Sequence, residues 1–402
     1  MSILRSDVTT IRQLSEIIGN LTASLQAVQQ APLHYRYLQM AKNQVLKQGQ
    51  NYDAQVVLSQ ASKEDLQWWI NHLREFNGRK IAIDQNPLII QTDASKQGWG
   101  AVCQNVKIGG YWSESEKQNH INLLELLAIT YAVKSYLKQE SNQTVLIQTD
   151  NKTAMTYINK MGGTVSSLCN QIVLDLWDWC LKRDISMKAE FIPGKENVIA
   201  DWESRHHQDS SSWGLDPFIF QTLMNKTLAC NVDLFANRLN TKLDRFYSWL
   251  PDPEAEAHNA LLHPWVGIRG YAFPPFCLIS QCLMKIQKER STILLVTPAW
   301  PAQPWYATVL KMCIKNPILL PTVPHLLLSD KGEPHPLIMN NSLQLVSWVV
   351  SGDPCKQCSY QQKLRTLSVT HGERVQHLLT TQPGKSGLAG VSEGRLIPFQ
   401  QL

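Results

Sequence analysis

What this 402-residue chain most plainly lacks is a long apolar run. None reaches the roughly 18 residues that carry a helix across a bilayer, and Met1-Ser2-Ile3-Leu4-Arg5-Ser6-Asp7 holds no apolar core of signal-peptide length. These absences predict an intracellular protein, cytoplasmic or nuclear, with no membrane partner. No strong charge of one sign is present: the charged fraction of 18% is ordinary for a soluble globular chain, and the formal net charge is a mild +5. That balance allows a nucleic-acid partner without demanding one, and the 44% hydrophobic content argues against wholesale disorder. The nine cysteines are odd in number and follow no spaced framework, which excludes a disulfide scaffold and predicts free thiols in a reducing compartment. Cys355-Lys356-Gln357-Cys358 is a lone CxxC, short of the four ligands that structural zinc takes. Gly384-Lys385-Ser386 lacks the upstream glycine and strand of a phosphate loop, so nucleotide binding is not expected there. No internal repeat is present, and the length suits two to three domains.

Against these absences stand four acidic residues at element ends between residues 87 and 205. Leu88-Ile89-Ile90-Gln91-Thr92-Asp93 is an apolar run ending in Asp, and Gly98-Trp99-Gly100-Ala101-Val102 turns back from it, so a hairpin is predicted. Gly110-Tyr111-Trp112 reads as a third strand. Leu123, Leu126, Leu127, Thr130 and Tyr131 then recur at helical spacing and place Glu125 in the first turn of a helix. Val145-Leu146-Ile147-Gln148-Thr149-Asp150 repeats the strand-then-Asp pattern, and Asn151-Lys152-Thr153-Ala154 opens another helix. Ala189 to Gly194 closes a strand, after which Lys195 to Asp201 enters a last helix.

Carboxylates on strand ends and facing helices can converge. Converged, they repel one another and raise each other's pKa unless cations neutralise them. Oxygen-only ligands suit Mg²⁺ or Mn²⁺, and two such ions can activate water and stabilise the leaving oxygen of a phosphodiester. Each acid taken alone also fits a helix cap: Asn122-x-x-Glu125 matches a capping pattern, and Asp150-Asn151 and Asp201 suit cap positions. The reading as a site rests on all four together.

Thr92-Asp93-Ala94-Ser95 with Gly98-Trp99-Gly100, Asn122-Leu123-Leu124-Glu125-Leu126, Gln148-Thr149-Asp150-Asn151, and Gly194 to Asp201 with Ser204-Arg205 together resemble the RNase H domain of retroelement polymerases. The resemblance implies hydrolysis of the RNA strand of an RNA–DNA hybrid, with Asp93, Glu125, Asp150 and Asp201 as catalytic ligands of two Mg²⁺ or Mn²⁺ ions. The His-bearing loop of cellular RNases H has no counterpart between Pro193 and Asn197.

Residues 1–86 read as mainly helical. Ile11, Leu14, Ile17, Ile18 and Leu21 form one stripe; Leu66, Trp69, Ile70, Leu73 and Phe76 form another, opened by Ser62-Lys63-Glu64-Asp65 as a capping box and stopped by Asn77-Gly78. Leu14 to Leu38 and the Leu66 to Ile70 helix resemble the thumb and connection that precede RNase H in reverse transcriptases. No Tyr-x-Asp-Asp polymerase motif occurs, so the reverse-transcriptase portion of the same element is expected as a partner. Arg36, Lys42 and Lys47 could touch a hybrid's phosphates, although surface cations are commonly just solvated.

Beyond Arg205, residues 206–230 read as a linker, 231–351 as a second α/β domain and 352–402 as a flexible tail. Val232 to Ala236 and Thr292 to Val296 read as buried strands, Tyr271 to Phe276 ends another, and Trp300 to Tyr306 reads as an aromatic, proline-stiffened loop. Asp233-Leu234-Phe235-Ala236, Phe273-Pro274-Pro275-Phe276 and Thr297-Pro298-Ala299-Trp300 resemble the methyltransferase-like domain of DIRS-type retrotransposons. Phe273 stands where active adenine methyltransferases need a hydrogen-bonding side chain, and no glycine-rich turn follows Phe235. The expected architecture is therefore an α/β, RNase H-like mixed sheet with flanking helices, preceded by a helical segment and followed by a methyltransferase-like α/β domain. The expected function is nuclease; the alternatives are a non-catalytic nucleic-acid-binding remnant and an adenine N6 methyltransferase.

Overall fold

The computed structural model describes residues 8–78, 86–206, 213–366 and 389–402. They fall into two compact units, Met1–His207 and Gln208–Leu402. Residues 1–7, 207–212 and 383–388, which figure in the sequence readings above, lie outside the described residues.

The first unit opens with β1 (Val8–Thr10) and α1 (Ile11–Ala23), where Thr10 and Gln13 form a capping box. α2 (Arg36–Lys47), β2 (Gln55–Val57) and α3 (Gln60–His72) follow, and β1 pairs antiparallel with β2. The cap of α3 differs from expectation. Ser59, not Ser62, accepts the first-turn N–H, while Ser62 and Asp65 are buried inside the helix. Asp65 instead accepts the backbone N–H of Tyr37 at 3.2 Å, satisfying an orphan donor at the start of α2. Burial pushes its carboxyl up to about 8, against the lowering effect of that bond. Ile11, Leu14, Leu38 and Trp69 make the local core, whereas Ile70 and Leu73 of the expected stripe are exposed.

β3 (Leu88–Ala94), β4 (Gly98–Cys103) and β5 (Val106–Tyr111) form an antiparallel meander. The short α4 (Glu114–Lys117) leads to α5 (Ile121–Tyr136), then β6 (Thr144–Thr149), α6 (Lys152–Asn159), α7 (Ser167–Leu181), β7 (Ser186–Phe191) and α8 (Val198–Arg205). The sheet order is β5-β4-β3-β6-β7, with β3, β6 and β7 mutually parallel. α5 is apolar nearly all round because it packs on β3 and β4 on one side and on α7 on the other. Leu124, Leu126 and Ile129 are fully buried there, each contributing roughly 1.5–3 kcal/mol of transfer free energy. α8 crosses β4 at backbone distance. A Cβ at Gly100 would lie 2.4 Å from the Ala200 carbonyl oxygen and 2.5 Å from the Ser204 nitrogen.

The second unit holds a six-stranded sheet in the order 400–401, 318–319, 345–351, 292–298, 269–272, 232–233. The last three strands are parallel; Leu345–Ser351 runs antiparallel to Thr292–Pro298. From residue 213 on, the expected linker is structured: Trp213–Leu215 pairs with Leu327–Ser329, and Pro217–Lys226 is a helix capped by Asp216. The expected tail contributes a helix, Pro354–Gln361, and strands at 389–392, 395–398 and 400–401. Trp305 and Tyr306 are buried in the helix Pro304–Met312 rather than displayed on a loop. Among the described residues no helix is long and apolar enough to cross a membrane.

Candidate active site

The register of two parallel strands brings the first two acids together. Gln91 of β3 lies opposite Gln148 of β6, so Asp93 and Asp150, two residues further along each strand, share a face and an end. α5 supplies the third. Its N-cap is His120, whose Nδ1 accepts the Asn122 N–H at 3.2 Å, so Glu125 sits in the second turn rather than the first and Asn122 is not the cap. Ligand oxygens of Asp93, Glu125 and Asp150 lie within 4.8 Å of one another.

Asp93 and Glu125 are both 4% exposed, and Asp150 is half-buried. Burial, then the neighbouring Asp93 and Asp150 charges, push Glu125 up to about 9. Burial and the facing Asp150 and Asp201 push Asp93 up to about 6, although the Ser204 hydroxyl donates to its Oδ2 at 2.7 Å. Asp150 is raised as well, by burial first and Asp201 second. Glu125 Oε2 is buried without a hydrogen-bond partner.

Surrounding groups hold this cluster in place. Asn197 Nδ2 donates to the Thr92 carbonyl at 2.8 Å, tying the turn before α8 to β3. Asn151 caps α6 through the Ala154 N–H at 2.9 Å, and its Nδ2 donates to Asn122 Oδ1 at 3.0 Å. A Cβ at Gly194 would stand 3.0 Å from Asp150 Oδ2, so the turn after β7 closes directly over that carboxylate.

Asp201 stands apart from the other three. Its Oδ1 accepts from Arg205 Nε at 3.0 Å and Nη2 at 2.6 Å, one helical turn on. The fourth expected ligand is thus close enough to act electrostatically on Asp93 and Asp150, with one of its two oxygens paired to Arg205. Sequence reasoning gave Ser204, Arg205 and Asn197 no individual role, and Asn151 only that of a helix cap, which it fills. For Ser204 and Arg205 the signal was their spacing on α8, three and four residues after Asp201 and so on adjoining faces.

Residues 84–172 match the model of the RNase H-like domain found in reverse transcriptase. The chain carries an RNase H-like domain of the reverse-transcriptase type. Asp93, Glu125 and Asp150 lie inside the matched residues; Asp201 lies beyond them. The enzymatic polyprotein of Cauliflower mosaic virus (strain Strasbourg) is 28% identical over 143 residues, 32% of this chain and 20% of that protein. That of Carnation etched ring virus is 29% identical over 125 residues, 29% of this chain and 18% of the relative. The chain therefore spans about a fifth of the length of the curated relatives it matches. Among solved structures, RNase H1 of Halobacterium salinarum is 12% identical, over 29% of this chain and 94% of that one, with a TM-score of 0.25. A foamy viral protease-reverse transcriptase in complex with double-stranded DNA is 10% identical, over 45% of this chain and 32% of that one, with a TM-score of 0.19.

Proposed function

We propose that this chain is a metal-dependent endonuclease hydrolysing the RNA strand of RNA–DNA hybrids, as part of a DIRS-type retrotransposon polyprotein. The observation that carries the reading is the convergence of Asp93, Glu125 and Asp150 within 4.8 Å inside an RNase H-like domain. Burial first, and the neighbouring Asp93 and Asp150 second, drive Glu125 up to about 9, and its Oε2 has no partner, so the ionised cluster is poorly tolerated without a cation. The donors are all oxygen, which fits Mg²⁺ or Mn²⁺.

Asp93, Glu125 and Asp150 would hold the first ion, and Asp201, once released from Arg205, would complete a second site with Asp93 or Asp150. Two such ions supply charge neutralisation and Lewis acidity, which activate water and stabilise the leaving oxygen of the phosphodiester. The residues provide the rest. Ser204 fixes one oxygen of Asp93, so that the other faces the reaction. Glu125 would bind one ion and help to orient the attacking water. Choice of substrate rests on hybrid shape and 2′-hydroxyl contacts rather than on base reading.

The second unit is carried within the same proposal as a methyltransferase-like region. What supports it is the run of three parallel strands, 232–233, 269–272 and 292–298, whose C-terminal ends bear Asp233, the Phe273-Pro274-Pro275-Phe276 segment and Ala299-Trp300. Asp233 is spent internally, accepting the backbone N–H of Lys242 at 3.1 Å and that of Phe235 at 3.4 Å. Binding of S-adenosylmethionine by the purified chain is the test of methyl transfer, and the engaged Asp233 predicts none.

For the nuclease the test is an end-labelled RNA–DNA hybrid incubated with the purified chain in Mg²⁺ or Mn²⁺, beside Asp93→Asn and single-stranded controls. Metal-dependent cutting of only the RNA strand, lost in the variant, is expected. A folded chain that binds the hybrid and leaves it intact would replace the proposal with a non-catalytic binding remnant.

A further inference from the structure

A cleft of about 370 Å³ opens between α2 and the C-terminal end of α6, lined by Arg36, Lys42, Asn43, Thr156, Lys160 and the backbone of Gly163 among others. Every charged residue in its lining is a cation. The Arg36 guanidinium is held in the cleft wall: Nη1 donates to Gln39 Oε1 at 3.0 Å, Nη2 to the Lys160 carbonyl at 2.5 Å, and the group lies 5.1 Å over the Tyr35 ring. Its Nε is buried with no partner. Gly162 makes this approach feasible, because its φ of +117° suits glycine and a Cβ there would meet Arg36 Cγ at 3.1 Å and Asn170 Oδ1 at 2.4 Å. Neither the Lys42 nor the Lys160 ammonium has a partner among the described residues. Three cations and an orphan N–H around one concavity, with no acid among them, lack an anion with several acceptor oxygens.

α6 connects this cleft to the carboxylates. Asp150 immediately precedes the helix cap, and the cleft lies at the other end of the helix. Eight helical residues span about 12 Å. We infer that the cleft holds a backbone phosphate of the nucleic-acid duplex away from the scissile one, so that the N-terminal helical segment anchors the hybrid for the nuclease. This rests on the nuclease reading for the identity of the duplex. It goes beyond that reading in assigning a binding role to α2, which Arg36 ties to Lys160 and Tyr37 ties to Gln171 Oε1 at 2.7 Å.

The experiment measures binding of a labelled hybrid longer than two helical turns to the full chain in EDTA, where no cutting intervenes, across a salt series. The comparison is with Lys42→Gln/Lys160→Gln and with Lys42→Arg/Lys160→Arg. Both lysines are solvent-accessible, and unfolding midpoints confirm that the variants fold. The glutamine pair is expected to weaken binding several-fold and to reduce the slope of log K against log salt by about 0.9, one phosphate contact, while the arginine pair restores both. An unchanged slope and affinity in the glutamine pair overturn the assignment. So does stabilisation of the native chain by inorganic phosphate, lost in the glutamine pair, with hybrid binding unaltered; that outcome gives the cleft to a small anion. Failure of the nuclease reading is distinct, because it shows as hybrid bound with the expected slope change but never cut in Mg²⁺ or Mn²⁺.

Discussion

The Ser204 hydroxyl donates to Asp93 Oδ2 at 2.7 Å across 111 residues of sequence. The bond joins the last turn of α8 to the end of β3 and reserves one carboxylate oxygen, leaving the other for a ligand. Its removal should act on metal binding more than on folding. Ser204→Ala is expected to weaken Mn²⁺ affinity roughly 10–100-fold, the usual cost of losing an outer partner of a metal ligand. Calorimetric titration of the purified variant reads this directly, and affinity equal to the native chain would remove Ser204 from the site's support.

Arg205 competes with any cation for Asp201. An exposed i,i+4 pair is worth about 0–1 kcal/mol, so freeing the carboxylate should ease metal binding modestly. Arg205→Gln is expected to lower the Mn²⁺ midpoint of cleavage by about two- to five-fold. A midpoint that rises would mean that Arg205 aims Asp201 at the site rather than holding it away.

Much of this site was legible because it is built from local patterns that the fold keeps. An apolar run ending in Asp is a strand whose last side chain projects at the sheet's end, and two such runs in parallel register had to place Asp93 beside Asp150. What sequence could not give was tertiary competition. The Ser62 to Asp65 spacing fits a capping pattern, but Ser59 makes the cap and Asp65 is claimed by the α2 N-terminus from another part of the chain. Asp201 matched its motif, yet an arginine one turn away pairs with one of its oxygens. The structured linker did carry a signal: Asp216-Pro217 is an N-cap followed by proline at the first helical position. The short strands at 389–401 carried almost none, since strands of two to four residues exist only through their pairing partners.

The raised carboxyls make the metal-free protein sensitive to pH. The folded value of Glu125, about 9, lies above the ordinary value near 4.3, so the folded state holds a proton that the unfolded chain has lost. Its contribution to stability is full below the ordinary value and disappears as pH rises towards about 9, at no more than about 1.4 kcal/mol per pH unit. Asp93 adds the same sign over a narrower window that ends near 6. In EDTA, the unfolding midpoint of the first unit is expected to fall between pH 6 and 9, and Glu125→Gln is expected to lessen that fall, the remainder coming from Asp65, whose carboxyl burial raises to about 8. Added Mg²⁺ should stabilise most at the upper end, where the carboxylates are ionised and have no proton to displace. A midpoint independent of pH in the native chain would contradict the burial argument.

Gly100 connects the stability of the domain to its chemistry. A methyl group there would collide with backbone of α8 at Ala200 and Ser204, and with Glu203 Cβ at 2.7 Å; backbone cannot swing aside as a flexible side chain can. Gly100→Ala should therefore push α8 off β4 and cost about 1–3 kcal/mol, the range of overpacking in a closed core. The displaced helix carries both Asp201 and Ser204, so Asp93 would lose its hydroxyl donor in the same movement. The expected phenotype is a chain that still folds, unfolds at lower urea, and needs more Mn²⁺ for the same cleavage. Gly110→Ala is the contrast, since its Cβ would meet only the Trp99 ring, no nearer than 3.3 Å, and no backbone of α8. Equal metal requirement in the two variants would show that α8 tolerates displacement without disturbing the carboxylates.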